Sequence, residues 1–193
     1  MVSSLLPALA ALLSGFLPAS APAVSASVPA FATALSQPAT LNFWREVPAA
    51  EARRLGKPRL APTRYRVFRL DLAGLQKELA RADASSGPTV LLPLPNGTWP
   101  AFQLCLSGVM APALAAKYPE LRTYAGHAVA APADYVRLET TPAGLRAMLV
   151  CAGRTYLLEP YRAGDTRHYI CFDKALLPAG SKQPFEVPGR PVR

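Results

Sequence analysis

The residues able to do covalent or metal chemistry are few. Cys105, Cys151 and Cys171 are the only thiols, and His127 and His168 the only imidazoles, in a chain of 193 residues. No H-E-x-x-H, G-x-S-x-G, G-x-G-x-x-G or G-x-x-x-x-G-K-[ST] pattern occurs, so the zincin, nucleophile-elbow, dinucleotide and P-loop sites are absent. The carboxylates Asp71, Glu159 and Asp165 have no spacing to each other or to His168 that pairs an acid with a base. Two histidines fall short of the three or four converging ligands that zinc needs, so no metal or other cofactor is expected. None of the cysteines belongs to a C-x-x-C pair. Leu-Cys-Leu, Val-Cys-Ala and Ile-Cys-Phe read as buried strand positions, where a thiol packs as a small hydrophobe and its pKa rises. The odd number allows one disulfide plus a free thiol, or three thiols.

What remains is charge. The 21 Lys and Arg outnumber the 12 Asp and Glu, and all of them lie at or after Arg45. A balance this basic favours acidic partners: an acidic protein surface or a polyanion. Arg64, Arg66 and Arg69 form the densest group and are the candidate basic contact face. The cations are otherwise dispersed, with no lysine-rich tract and no aromatic-glycine motif of an RNA-binding sheet, so nucleic acid is not the expected partner.

The elements that would position these residues follow from punctuation and pattern. The 21 prolines argue against long helices and against an all-helical bundle. Residues 1–34 are neutral and rich in Ala, Leu, Ser and Pro. Leu5 to Leu17 is an apolar run too short to span a bilayer, and the small-residue sites Val24-Ser25-Ala26 and Ala32-Thr33-Ala34 follow it. This reads as a signal peptide or disordered leader, with the mature chain secreted or periplasmic and no membrane span left after signal removal. Residues 35–62 read as a linker, in which Phe43-Trp44 is the one bulky apolar pair. From 63 to 174 turn signals recur every eight to twelve residues, the spacing of an antiparallel sandwich or open barrel. We expect a mainly β body of about 7–9 short strands with two short helices. The tail, 175–193, is rich in Pro and Gly and is expected to be disordered.

Within the body, RYRVFRLDL predicts a strand whose facing switches at Val67-Phe68, as at a bulge. Asp71 then caps a helix striped by Leu72, Leu75 and Leu79. TVLLPLPNGTWPAFQLCL predicts a hairpin turning at Asn96-Gly97, a pair that tolerates positive φ at both positions. Pro112 opens a second short helix. Strands are expected at Leu121 to Ala125, Tyr135 to Thr141, Leu145 to Cys151, in TYLLEP and in TRHYICFDK. If the last three are consecutive neighbours, Cys151 and Cys171 stand two strand spacings apart, about 9–10 Å, too far for a disulfide.

Five of these segments, in this order, carry a family likeness: RYRVFRLDL with its leucine-striped helix, LLPLPNGTWPAFQL, VMAPALAAKYPELRTYAG, TPAGLRAML and YLLEPYRAGDTRHYICFDK. Spanning about Asn42 to Lys174, the chain resembles the amino-terminal, propeptide-like domain of secreted bacterial reprolysin-like (metzincin) zinc metallopeptidases. The resemblance implies a noncatalytic β-rich module whose partner is a metallopeptidase catalytic domain, which it helps to fold or holds latent. It does not carry over protease activity, since H-E-x-x-H-x-x-G-x-x-H is missing. In such a role the three cysteines would be the only zinc-blocking or redox thiols. The alternative is a cell-envelope module that binds an acidic partner or polyanion through Arg64, Arg66 and Arg69.

Overall fold

A computed structural model describes residues 39–178. The expected signal segment and the tail beyond 178 lie outside the described residues. The strands are β1 (Thr40–Leu41), β2 (Trp44–Glu46), β3 (Arg66–Leu70), β4 (Thr89–Leu91), β5 (Ala101–Leu106), β6 (Arg122–Ala128), β7 (Tyr135–Thr141), β8 (Gly144–Cys151), β9 (Arg154–Pro160) and β10 (His168–Asp173). Between them lie α1 (Ala49–Arg54), α2 (Leu72–Leu79) and α3 (Pro112–Lys117), and a 3-10 turn, Lys174–Leu176, follows β10. The body is thus mainly β as expected, with ten strands instead of 7–9 and three short α-helices instead of two. It is one curled sheet forming a half-barrel, the open-barrel alternative to the sandwich. Among the described residues no helix is long and apolar enough to cross a membrane.

The sheet order is β1-β4-β5-β6-β7-β8-β9-β10-β3-β2, so strands β4 to β10 form a continuous antiparallel meander. Strong period-two alternation drives it. In β7 Val136, Leu138 and Thr140 are buried, whereas in β8 Leu145, Ala147, Leu149 and Cys151 are. These side chains fill the concave side together with Phe68, Leu70, Phe102, Leu104 and Tyr169. Strand β3 runs straight into α2, where the Asp71 carboxylate accepts the Gly74 N–H at 3.0 Å and so caps the helix as its sequence predicts. The stripe of Leu75 and Leu79, both fully buried, drops into the same interior. Curling also needs close backbone approach. A Cβ on Gly126 would stand 2.1 Å from the Gln103 carbonyl oxygen, so only glycine lets β6 lie against β5 there.

The span read as a linker is structural. Residues 39–62 supply β1, β2 and α1. The physical reason lies in β3, β9 and β10, whose outer face is also apolar. Val67, Tyr161, Ile170 and Phe172 form a second cluster there, covered by Val47, Ala52, Leu55 and Leu60. Burying that face removes about 25 cal/mol per Å² of apolar surface from water, and short irregular pieces suffice to do it. Tyr161 pins this cover by donating its hydroxyl to the Gly56 carbonyl at 2.6 Å, and the Arg162 guanidinium donates to that of Leu55. The start of the tail joins in, as Asp173 caps the 3-10 turn through the Ala175 N–H at 2.9 Å and Leu177 packs on the same cluster. The expected bulge is absent as well. Pairing of β3 with β10 runs unbroken from Arg66↔Cys171 to Arg69↔His168, and Val67 and Phe68 are both buried because each faces a covered side.

Two turns exchange the roles their sequences indicate. At Asn96-Gly97 only Gly97 has positive φ, +90°. Leu94 O accepts the Gly97 N–H at 3.1 Å and Thr98 O the Leu94 N–H at 3.0 Å, a three-residue loop opened by Pro95, whose fixed negative φ suits the first corner position. The two-residue loop with positive φ at both corners is instead Ala152-Gly153, at +48° and +74° between the paired Cys151 and Arg154. Alanine is strained there, and Ala152 is exposed. Ala152→Asn is therefore expected to stabilise the protein by about 1 kcal/mol and to raise Tm by roughly 3–5 °C, measured by thermal or urea denaturation.

Candidate protein-contact site

The sequence groups Arg64, Arg66 and Arg69, but the fold divides them. Positions 66 and 69 differ by an odd number along β3 and point to opposite faces of the sheet. Arg64 and Arg66 open into a groove of about 370 Å³ with Tyr65, Tyr156, Asn96 of the hairpin loop and Arg154. Arg69 turns to another depression, beside Arg45 and Arg167.

In the first groove, β3 delivers Arg66, the segment before it delivers Arg64 and Tyr65, and β9 delivers Arg154 and Tyr156. Strand β10, standing between β9 and β3, contributes Asp173 to the same wall. Asp173 is buried and accepts from Arg154 Nε at 2.9 Å and from Nη2 at 2.5 Å. Arg66 lies 3.4 Å from the exposed Glu46 carboxylate. Arg64 makes no ion pair among the described residues. The result is a basic groove whose lining includes Tyr65, 38% exposed, and the buried Tyr156. Arginine and tyrosine are the side chains that anchor protein interfaces, since each combines planar contact area with polar atoms at low entropic cost. Tyr65 was legible in the Arg-Tyr-Arg run. Arg154 and Tyr156, some ninety residues away, join it through strand order alone, and nothing local in the sequence marks them.

The three cysteines are free. Strands β8, β9 and β10 are consecutive neighbours, as the expectation of no 151–171 bridge requires. Cys171 is fully buried and its thiol donates to the Pro93 carbonyl at 3.2 Å. Burial raises its pKa, with the Cys151 sulfur adding to the effect. Burial pushes the Cys151 thiol up to about 11, the Asp134 carboxylate contributing in the same direction. Cys105 departs from the buried position its neighbours indicate: in β5 Phe102 and Leu104 point inward, so Cys105 points outward and is half-buried. Neither buried thiol is a thiolate at neutral pH, and zinc or an oxidant reacts with the thiolate.

The other groups singled out in the sequence take local roles. His127 Nδ1 lies 2.9 Å from the Pro132 carbonyl oxygen. Asp165 accepts the N–H groups of Arg167 and His168, both at 2.9 Å, and its second oxygen is 3.3 Å from His168 Nδ1, which fixes the β9–β10 turn. Among the described residues no three His, Cys, Asp or Glu side chains gather as metal ligands do. Glu159 lines a groove of about 400 Å³ on the outer face of β6 to β9, 2.8 Å from Arg59 and 3.3 Å from Arg146. Desolvation outweighs both arginines and raises its pKa.

Comparison with known proteins gives no match: no family model fits the sequence, and neither a curated protein nor a solved structure is detectably similar.

Two measurements check this chemistry. In the native protein at about pH 8 a thiol-titrating aromatic disulfide is expected to modify Cys105 alone, and all three cysteines after denaturation. For Glu159, a carboxyl raised in the folded state binds its proton more tightly there than in the unfolded chain. Stability from this group therefore falls as pH climbs from its ordinary 4.5 through the raised value. Glu159→Gln is expected to abolish that component of the decline in urea denaturation as pH rises from 4.5.

Proposed function

We propose that the protein is a noncatalytic, exported module that works by contact, docking its arginine and tyrosine groove on an acidic protein surface. By the resemblance of its five segments, that partner is the catalytic domain of a zinc metallopeptidase, which the module helps to fold or holds latent. The observation that carries the reading is the groove of Arg64, Tyr65, Arg66, Arg154 and Tyr156, in which basic and aromatic groups stand side by side with Arg64 unpaired among the described residues. Such a surface gains from an acidic partner twice. Complementary charge speeds encounter, and the exposed Tyr65 supplies area that holds the complex. Strands β3, β9 and β10 hold Arg66, Arg154, Tyr156 and Asp173 in place before binding, which lowers the entropic cost of association.

The second reading, a cell-envelope module for a polyanion, draws on the same groove cations and the net charge of +9. Salt separates the two. Binding to a polymeric anion loses affinity steeply with log salt through counterion release, whereas a mixed aromatic and polar interface loses less.

The experiment is to titrate the full chain against a reprolysin-like catalytic domain and to follow the yield of that domain on refolding. Saturable binding is expected, weakened about tenfold by Arg64→Glu and by Tyr65→Ala, with the refolding yield or the peptidase rate changed by the wild-type chain. No binding and no effect on yield or rate would falsify the metallopeptidase reading.

A further inference from the structure

At the end of β3 far from that groove, the sheet assembles a second cationic pocket that the contact reading does not use. Arg45 on β2 stands directly opposite Arg69 on β3, and His168, the residue after Arg167, is the partner of Arg69 on its other side. Arg45, Arg69 and Arg167 all line one pocket of about 380 Å³, with Asn42, Trp44 and Asp71. Like charges placed directly across neighbouring strands destabilise a sheet unless enough negative charge sits among them.

The countercharge on hand is small. Glu51 on α1 pairs with Arg69 Nη2. Asp71 commits one oxygen to the α2 cap. Arg45 and Arg167 have no acidic partner among the described residues. One donor beside them is also left unanswered where water is excluded: Arg69 Nε is buried with no hydrogen-bond partner. A buried donor left unpaired costs the full desolvation of its N–H. The planar guanidinium offers parallel N–H groups matched to two oxygens of one anion.

We propose that the Arg45, Arg69 and Arg167 pocket is a binding site for an oxyanion of the phosphate or carboxylate type. The anion accepts from the guanidinium groups and relieves the repulsion between Arg45 and Arg69. This site stands independently of the metallopeptidase reading, because it lies at the other end of β3 and shares no residue with the first groove.

The test uses the full chain with inorganic phosphate and with acetate as probes, each against chloride at matched ionic strength. Tm and the Trp44 indole N–H resonance, one of two tryptophan signals, are followed. A saturable rise in Tm together with movement of the Trp44 signal is expected. A response to phosphate alone assigns the phosphate-type anion, and a response to acetate assigns the carboxylate type. Arg45→Gln and Arg167→Gln are each expected to weaken the response about tenfold, as for the loss of one charge-assisted hydrogen bond. Without any probe, at low salt, Arg45→Gln is expected to melt higher than the wild type, because it removes one of two opposed charges; a merely structural arginine would melt lower. Arg64→Gln is expected to respond as the wild type does. The proposal is overturned if chloride alone reproduces the shifts, if neither probe gives a saturable response, or if Arg45→Gln and Arg167→Gln respond like the wild type.

Discussion

The sheet buries its concave side by curling, and the seven residues from Thr40 to Glu46 tie its two ends close to each other. Strand β1 pairs in parallel with β4 at one end of the sheet order, and β2 pairs with β3 at the other. Only Asn42 and Phe43 separate them, so Leu41 and Trp44 are at most about 11 Å apart along the chain. Opposite ends of a ten-stranded sheet are thereby held within a few strand spacings of each other. The hairpin between β4 and β5 tightens the curl. Trp99 meets Phe68 of β3 edge-on at 5.5 Å, and the Pro93 carbonyl takes the Cys171 thiol hydrogen of β10. Trp44 in turn meets Tyr169 edge-on at 5.3 Å. Leu75 and Leu79 of α2 then fill the interior that this closure encloses.

Everything proposed for function inherits that closure. The first groove exists because the curl brings the β4–β5 loop over β3 and β9, setting Asn96 beside Arg64 and Arg154. The second exists because β2, drawn in from what reads as a linker, lays Arg45 across from Arg69. One strand, β3, thus carries the two basic features at its two ends. Apolar neighbours on both faces leave its arginines nowhere to go but the rims, where Glu46 and Glu51 meet two of them.

Much of the meander was legible. Strands β7 to β10, the α2 cap at Asp71 and the proline-opened α3 all follow from alternation, leucine spacing and turn residues, which are local signals. The failures share one cause. Residues 39–62 carry no periodicity, since they cover a face in pieces and do not repeat along it. Val67-Phe68 looks like a bulge because two adjacent apolar residues break alternation, unless both faces are covered, which depends on chain far away. Asn96-Gly97 offers a tight turn, but Pro95 before it and packing of Trp99 favour the longer loop, while Ala152-Gly153 takes the tight geometry because register between β8 and β9 demands it.

From the order of its amino acids alone this protein was bound to be strand-rich, basic and poor in groups for covalent or metal chemistry, because composition and near-neighbour spacing determine those properties. Whether Cys105 meets solvent, whether Arg69 stands with Arg66 or against Arg45, and whether residues 39–62 are tether or wall were decided by the curl of the sheet. These depend on which strands become neighbours and which face each side chain takes, and an interior shared by residues more than a hundred positions apart leaves no mark in any short stretch of sequence.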